Sequence, residues 1–378
     1  MNLRILVFSD WFVPGFRAGG PIRSVDNLAR LLSHYVELYI FTGDRDLNDI
    51  QPYEQVALNQ WVDYAPGIKV WYATPDEQGR NRIKTEINNI EPHAVYFNSM
   101  FSKNFAIVPL MVMRSFPGIK KVLSPRGMLR SSALAFKPLK KKLFLNYARL
   151  SGLFRDVHFH ATDEQECADV YKNISVYASV TCIGNVPAIP DAELHPVDKQ
   201  PGQLRIIFTG RIHPIKNLHI LLEALKEVKA SVACTLVGVM EDEAYWARCA
   251  EMVQQLPNNI TVAAPVEVPP AALSTLTREH HLFVLPTQGE NFGHAIFEAL
   301  CCGRPALISD QTPWRQLEKK HAGWDVPLNR VEQFTQIIEQ VAAMNSEEWG
   351  QWCTGAHRLA QTVSANKKIE EQYLNLFS

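Results

Sequence analysis

Leu285-Pro-Thr-Gln-Gly-Glu290-Asn-Phe-Gly-His-Ala-Ile-Phe-Glu298-Ala-Leu-Cys-Cys-Gly303-Arg-Pro305 is the stretch from which the fold can be read. The apolar run ending at Leu285 suits a strand buried in a parallel sheet. A polar loop follows, in which Gly289 and Gly293 allow close backbone approach. A helix is predicted from about His294 to Cys302, with Gly303 suited to its C′ position and Pro305 to its termination. The helix start leaves free N–H groups, which favour an anion. Glu290 precedes the helix and Glu298 lies on its early turns, about two helical turns apart. Both carboxylates are then placed to reach one ligand at different points. The residues alone also fit a plainer reading, a solvated loop acid and a helix-start acid favoured by the macrodipole.

Working outward, the same alternation of strand and helix runs through the chain. Leu3 to Phe8 reads as a first strand. A loop ending in Gly19-Gly20 follows, then a helical pattern opened by Pro21 with Ile22, Val25, Leu28, Leu31 and Leu32 on one face. Val36–Thr42 is the next strand, which completes a βαβ unit. Further strands are predicted at Lys69–Ala73, Ala94–Asn98, Lys121–Ser124 and Val157–Ala161. Residues 186–203 contain Pro187, Pro190, Pro196, Pro201 and Gly202 and read as a linker. A second α/β series begins at Leu204 and continues with a helix over Leu218–Val228. Its later strands are predicted at Cys234–Gly238, Ile260–Ala263, Leu282–Leu285 and Ala306–Ser309. The fold class is therefore α/β, with two Rossmann-like domains facing across a cleft. They span 1–190, joined by a tail from about 365 to 378, and 203–364. A chain of 378 residues is long enough for two cores. Neither half carries G-x-G-x-x-G, which disfavours a dinucleotide oxidoreductase.

With 47% hydrophobic and 20% charged residues, the composition is that of a globular protein. The seven cysteines are odd in number and lack C-x-x-C, so neither a disulfide framework nor a zinc site is suggested. The first residues are too short an apolar run for a signal peptide, and no run approaches a membrane span. Net charge is -1, but its distribution is uneven. From His93 to Arg155 there is no Asp or Glu, and Lys103 to Arg155 carries twelve Lys or Arg. Part of the molecule is thus expected to be strongly positive.

Five other segments stand out. In Phe208-Thr-Gly210-Arg211-Ile-His-Pro-Ile-Lys216-Asn217, Gly210 ends a strand while Arg211 and Lys216 lie on the loop before a helix. Two fixed cations there would stabilise charge growing on a diphosphate leaving group. Gly19-Gly20 follows the first strand, with Arg23 one step into the helix. Leu123-Ser-Pro-Arg126-Gly-Met-Leu129 ends another strand. His160-Ala-Thr-Asp-Glu-Gln-Glu166 reads as a helix start, with Thr162 as cap and Glu166 as an early-turn acid. Asp44-Arg-Asp46 has the form of a metal D-x-D site but reads as a solvated polar loop.

These segments resemble the family 4 glycosyltransferases, which have the two-domain GT-B fold. The E-x7-E pair Glu290/Glu298, the order Pro-Thr, Glu-Asn-Phe-Gly, Glu-Ala-Leu and Gly-x-Pro, and the G-R-x-x-x-x-K-N segment carry the likeness over nearly the whole chain. The resemblance implies a retaining enzyme using a nucleotide-diphosphate sugar, without a metal or other cofactor. It implies that Glu290 touches the donor sugar and Glu298 the ribose. Asn291, Phe292, Gly293 and His294 would line the donor loop, Gly210, Arg211 and Lys216 the phosphate side, and Gly19 and Gly20 the approach to donor and acceptor. Domain closure would exclude water and unite acceptor and donor. The family often has His-Gly where this chain has Arg126-Gly127. That departure, with Thr312-Pro-Trp314, resembles a subgroup acting on bacterial surface polysaccharides. Arg126 does not act as a base near neutral pH, but suits a phosphate or an acidic sugar, whereas Arg23 suits a phosphate or solvent.

Ala135 to Arg149 forms a basic amphipathic helical pattern, with Leu139, Leu143, Phe144 and Tyr147 at helical spacing. Lys137, Lys140, Lys141, Lys142 and Arg149 suit an anionic membrane surface, whereas no motif supports nucleic acid. A core-packed, solvated helix is the alternative. The expectation is a glycosyltransferase using a UDP- or GDP-linked sugar and a saccharide acceptor, lipid-linked, in lipopolysaccharide or exopolysaccharide synthesis. Its expected place is the cytoplasm, peripheral at the inner face of the membrane. A GT-B sugar epimerase and a non-catalytic sugar-nucleotide-binding subunit are the rival readings.

Overall fold

The computed structural model describes residues 3–135, 138–190, 193–194, 198–366 and 368–378; Lys137 of the basic stretch and Pro196 lie outside them. The chain divides into two compact units, Met1–Val186 with Lys367–Ser378, and Pro187–Asn366.

The first unit is built on β1 (Leu3–Ser9), β2 (Val36–Gly43), β3 (Trp61–Ala65), β4 (Ile68–Ala73), β5 (Ala94–Phe97), β6 (Lys120–Leu123), β7 (Val157–Ala161) and β8 (Ser179–Cys182). Their order is β3-β4-β2-β1-β5-β6-β7-β8, parallel throughout except for the antiparallel β3. Period-2 alternation supplies both faces of the sheet. Leu6 and Phe8 join Phe41 and Phe97 in one core, while Ile5 and Val7 join Ile40 and Tyr96 in the other. From β1 the chain proceeds outward through β2 on one side and later through β5 on the other. The carboxyl ends of β1 and β5 are therefore a topological switch point, the place where open α/β sheets bind ligands. The first helix spans Gly20–Leu32 and buries Ile22, Val25, Leu28 and Leu32. It starts one residue before Pro21, because Gly19 at φ 66° turns its carbonyl to accept from the Ile22 and Arg23 amides. The last helix, Lys368–Phe377, belongs to this unit: Tyr373 donates to the Gly184 carbonyl at 3.0 Å and Phe377 packs edge-on against Tyr96.

Two sequence readings in this unit are corrected. Asp44 and Asp46 are buried rather than solvated. Asp46 accepts from the Phe16 and Arg17 amides at 2.7 and 3.0 Å, and Asp44 pairs with the Arg45 guanidinium at 2.8 Å. Asp46 thereby fixes the loop after β1, while Asp44 holds the neighbouring Arg45. The helix Glu164–Asn173 is capped by Asp163, not Thr162. Glu166 is fully buried and accepts from the Thr162 amide and hydroxyl at 2.7 and 2.8 Å and from the Gly127 amide.

The second unit is a six-stranded parallel sheet, β9 (Gln203–Thr209), β10 (Ser231–Val237), β11 (Ile260–Val262), β12 (Leu282–Leu285), β13 (Ala306–Ser309) and β14 (Gly323–Val326), in the order β11-β10-β9-β12-β13-β14. Its switch point lies between β9 and β12. The end of the stretch read as a linker is folded onto this unit. The buried Lys199 amine donates to the carbonyls of Gln200, Ala342 and Met344 at 2.9, 2.9 and 3.0 Å. The Ala342 and Met344 carbonyls lie at the carboxyl end of the helix Val331–Ala343, where a cation is favoured.

Candidate active site

In the second unit, Gly210, Arg211 and Lys216 follow β9, and Glu290 to His294 follow β12. Both segments thus leave the sheet at its switch point. Their proximity is direct: Lys216 Nζ lies 2.5 Å from Glu290 Oε1, in a pair that is mostly shielded from solvent. The two loops are laced together around it. The Thr287 hydroxyl and the Gln288 amide donate to the Ile215 carbonyl at 3.2 and 2.8 Å, and the Gln288 side-chain amide donates to Asn217 at 3.1 Å. Arg211 is held by Glu241 at 2.5 Å, a partner the sequence reading missed. Glu241 follows β10, so a carboxylate beyond the neighbouring strand was the available signal.

The backbone here leaves no room for side chains at two glycines. A Cβ on Gly238 would lie 2.0 Å from the Gly210 carbonyl oxygen. Gly293 has φ 81°, and a Cβ there would meet Ile296 at 2.9 Å. Gly293 is the N-cap of the helix His294–Cys301 and supplies no side-chain cap, so an anion is favoured at this helix start. Asn217, left-handed at φ 52°, begins the helix Leu218–Lys226 in the same way. Cys302 closes the first of these helices, and Gly303 follows at φ 67°. Glu298 is half-buried on that helix and Asn291 and Phe292 on the loop before it. Trp314, noticed in the sequence only as part of Thr312-Pro-Trp, has a structural reason. Its indole N–H donates to the Phe292 carbonyl at 2.5 Å and its ring stacks on Phe297 at 5.5 Å.

The first unit gathers a second constellation at its own switch point. Arg126, left-handed at φ 52°, donates from Nε to Asn98 Oδ1 at 2.8 Å, from Nη1 to Asn185 Oδ1, and from Nη2 to the Tyr96 hydroxyl at 2.9 Å. All three acceptors are neutral, so the guanidinium is oriented without being neutralised. Asn98 also donates to the Pro21 carbonyl at 3.2 Å, and Asn185 accepts from Ser24 at 3.2 Å. The Gly19-Gly20 helix start and Arg126 are thereby tied to the same two asparagines, and Arg23 lies half-buried on the first turn. Behind them, His160 Nε2 meets the Ile183 carbonyl and Nδ1 the Tyr96 hydroxyl, both at 2.9 Å. A carbonyl only accepts, so the proton resides on Nε2, and Tyr96 donates to Nδ1 while accepting from Arg126. Burial, with the Arg126 charge adding to it, pulls this imidazole down to about 3 and keeps it neutral. Asp10, immediately after β1, was also missed. It accepts from Ser102 at 2.5 Å, and burial raises its carboxyl above the ordinary range.

The basic stretch forms a helix over Pro138–Leu150. Phe144 and Leu145 pack on the core, but Leu139, Leu143, Tyr147 and Leu150 are 76%, 69%, 50% and 90% exposed. Spaced by four, four and three residues, they form one apolar stripe. The core-packed alternative therefore accounts for only one side of this helix. Lys140, Lys142 and Arg149 are exposed beside the stripe, whereas Lys141 donates to the Ala133 carbonyl at 2.6 Å. Among the described residues no helix is long and apolar enough to cross a membrane.

Comparison with known proteins places these features. Residues 203–344 match the sequence family described as glycosyl transferases group 1. A D-inositol 3-phosphate glycosyltransferase of Segniliparus rotundus is 30% identical over 113 residues, 29% of this chain and 25% of that protein. Its counterpart in Rhodococcus erythropolis is 28% identical over 117 residues, 29% of this chain and 26% of that one. The matched stretch thus spans about a quarter of these curated relatives. Similarity of fold extends much further. Sucrose-phosphate synthase from Thermosynechococcus elongatus superimposes with a TM-score of 0.74 at 14% identity, over 100% of this chain and 98% of that one. Anabaena Alr3699/HepE in complex with UDP and glucose gives 0.71 at 15%, over 99% of both chains. WaaG, a glycosyltransferase involved in lipopolysaccharide biosynthesis, gives 0.68 at 14%, over 100% of both. The chain shares the GT-B fold of these structures, and its residues 203–344 match the group 1 glycosyltransferase family.

Proposed function

We propose that the protein is a retaining glycosyltransferase that moves a sugar from a UDP- or GDP-linked donor to a saccharide acceptor. The observation that carries this reading is the Lys216–Glu290 pair set beside an uncapped helix start at the β9/β12 switch point. A diphosphate over that helix start would draw Lys216 and the first amides of His294–Cys301 to its oxygens. Glu290, released from Lys216, would accept from hydroxyls of the donor sugar, and Glu298 from the ribose. Arg211, steadied by Glu241, adds a second cation for the leaving group. In a retaining, front-face reaction the departing phosphate oxygen takes the proton of the acceptor hydroxyl, so no protein carboxylate is needed as nucleophile and no metal is required. UDP is favoured as carrier because a structural neighbour binds it.

The acceptor is assigned to the first unit, with Gly19, Gly20, Arg23 and the oriented Arg126 meeting its charged or phosphate-bearing part. A lipid-linked saccharide of bacterial surface polysaccharide synthesis fits the exposed apolar stripe and the lysines of Pro138–Leu150, which would rest on an anionic membrane surface from the cytoplasmic side. The test is transfer by Lys216→Ala and Glu290→Ala. Each variant should stay folded and lose transfer; full transfer by both would refute the reading. Release of nucleoside diphosphate only when acceptor is present separates transfer from epimerisation.

A further inference from the structure

A cavity of about 820 Å³ lies in the first unit, away from the Arg126 constellation. It opens where the helix Pro138–Leu150 ends and where β7 and β8 begin. Arg126 and Gly19 lie at the opposite, carboxyl end of the same sheet. Leu145, Leu150, Phe154 and Ile174 supply its apolar wall, and Arg149 and Arg155 its cations. Its volume falls in the range of small-molecule sites, roughly 300–1,000 Å³.

Three features of this cavity point to one class of occupant. First, it continues the apolar stripe. Leu150 belongs to both, and Tyr177, 94% exposed, stands on the cavity's other rim. Second, its cations are available. The Arg149 guanidinium makes one long bond, 3.5 Å, to the Asn173 carbonyl, and among the described residues neither Arg149 nor Arg155 has an ion-pair partner. Asp156 is the one acid in the wall, in a stretch that is otherwise free of acids back to His93. Third, the lining combines the two characters, Arg149 and Arg155 together with Leu145, Phe154 and Ile174, which pack against the core. Apolar side chains in one cavity with two cations are complementary to a phosphodiester carrying hydrocarbon chains.

We infer that this cavity binds one anionic phospholipid, its phosphodiester between Arg149 and Arg155 and its acyl chain along Leu145, Leu150, Phe154 and Ile174. The inference rests on the membrane part of the proposed function and adds a discrete site to a surface contact. In this arrangement the bilayer-facing helix is held by a lipid withdrawn into the protein as well as by the charge of the surface.

The test uses dihexanoyl phosphatidylglycerol below its micelle concentration, so that no membrane surface is present. Bound lipid should raise the melting temperature in a saturable way. Dihexanoyl phosphatidylcholine and glycerol 3-phosphate should each bind at least tenfold more weakly. Arg149→Glu combined with Arg155→Glu, both exposed and at the other end of the sheet from Arg126, should lower affinity for phosphatidylglycerol at least tenfold with unchanged circular dichroism. No saturable shift, equal binding of the choline lipid, or unchanged affinity in the double variant would overturn the site. Glycerol 3-phosphate binding as tightly as the lipid would make it a phosphate site and overturn the lipid assignment. A separate arm distinguishes this from the surface reading: Leu139→Ser with Leu143→Ser should lose co-sedimentation with phosphatidylglycerol vesicles while keeping the monomeric lipid. Intact sedimentation of that variant would count against helix docking and leave the cavity standing.

Discussion

Lys216 Nζ and Glu290 Oε1 lie 2.5 Å apart although the residues are 74 positions apart in the chain. The pair joins the loop after β9 to the loop after β12. Each single truncation leaves the other charge partly buried without its partner, whereas removal of both leaves no stranded charge. The expected result in a urea double-mutant cycle is that Lys216→Ala and Glu290→Ala each destabilise the protein, with a favourable coupling of about 1 kcal/mol. Strict additivity would show that the pair does not operate in solution. Transfer should fall by about 10²–10³ in either variant, the scale of losing one transition-state donor or acceptor.

The Trp314 indole supports the loop after β12 by donating to the Phe292 carbonyl. Trp314→Phe keeps an aromatic ring but leaves that carbonyl without its donor, at a cost of about 1 kcal/mol. If the loop's shape serves the donor, KM for donor should rise about fivefold with little change in kcat. Gly293→Ala should act more severely, because it combines φ 81° with a Cβ 2.9 Å from Ile296. A loss of roughly 1–2 kcal/mol in stability and weaker donor binding are expected. Unaltered donor KM in both variants would separate this loop from donor binding.

The buried His160 gives the first unit an acid-sensitive point. In the folded chain its value is lowered to about 3, whereas an unfolded imidazole titrates near about 6.5. Between those values the unfolded state holds the extra proton, so stability falls as pH falls. The contribution is fully present above about 6.5 and is lost progressively towards 3, at about 1.4 kcal/mol per pH unit. Denaturant unfolding of wild type between pH 7 and pH 5 should show this slope, and His160→Phe should flatten it. An equal slope in the variant would place the acid sensitivity elsewhere. His281 in the second unit, lowered to about 4 by burial, adds a slope of the same sign.

The legibility of this chain varied with how local its determinants are. The strand, loop and helix around Glu290 were readable because the apolar run, the glycines and the terminating Gly303-Arg-Pro305 lie in one short segment. Val157–Ala161, Leu282–Leu285 and Ala306–Ser309 were placed residue for residue: Leu282–Leu285 is an unbroken apolar run, Ala306–Ser309 nearly so, and Val157–Ala161 alternates apolar residues with histidines. The edges were not. The antiparallel β3 is a partly exposed Trp-Val-Asp-Tyr-Ala segment, and β8 is short and mostly polar, so neither shows a buried-strand pattern. Charged residues were misjudged where their partners are distant or are backbone groups. Asp46 is buried because the amides of Phe16 and Arg17, about thirty residues earlier, turn toward it. The same distance concealed Glu241 from Arg211 and the asparagines from Arg126. Exposure of the Leu139–Leu150 stripe was equally beyond the sequence, because a helical period does not show which side the core will occupy.

The account stands on the claim that the loops around Lys216 and Glu290 hold a nucleotide-diphosphate sugar. A thermal-shift panel of UDP- and GDP-linked sugars, run on wild type and on Lys216→Ala, measures it most directly. One donor should raise the wild-type melting temperature in a saturable way, and Lys216→Ala should lose that shift while remaining folded. A saturable shift of equal size in Lys216→Ala, or no shift with any donor in the wild type, would contradict the account.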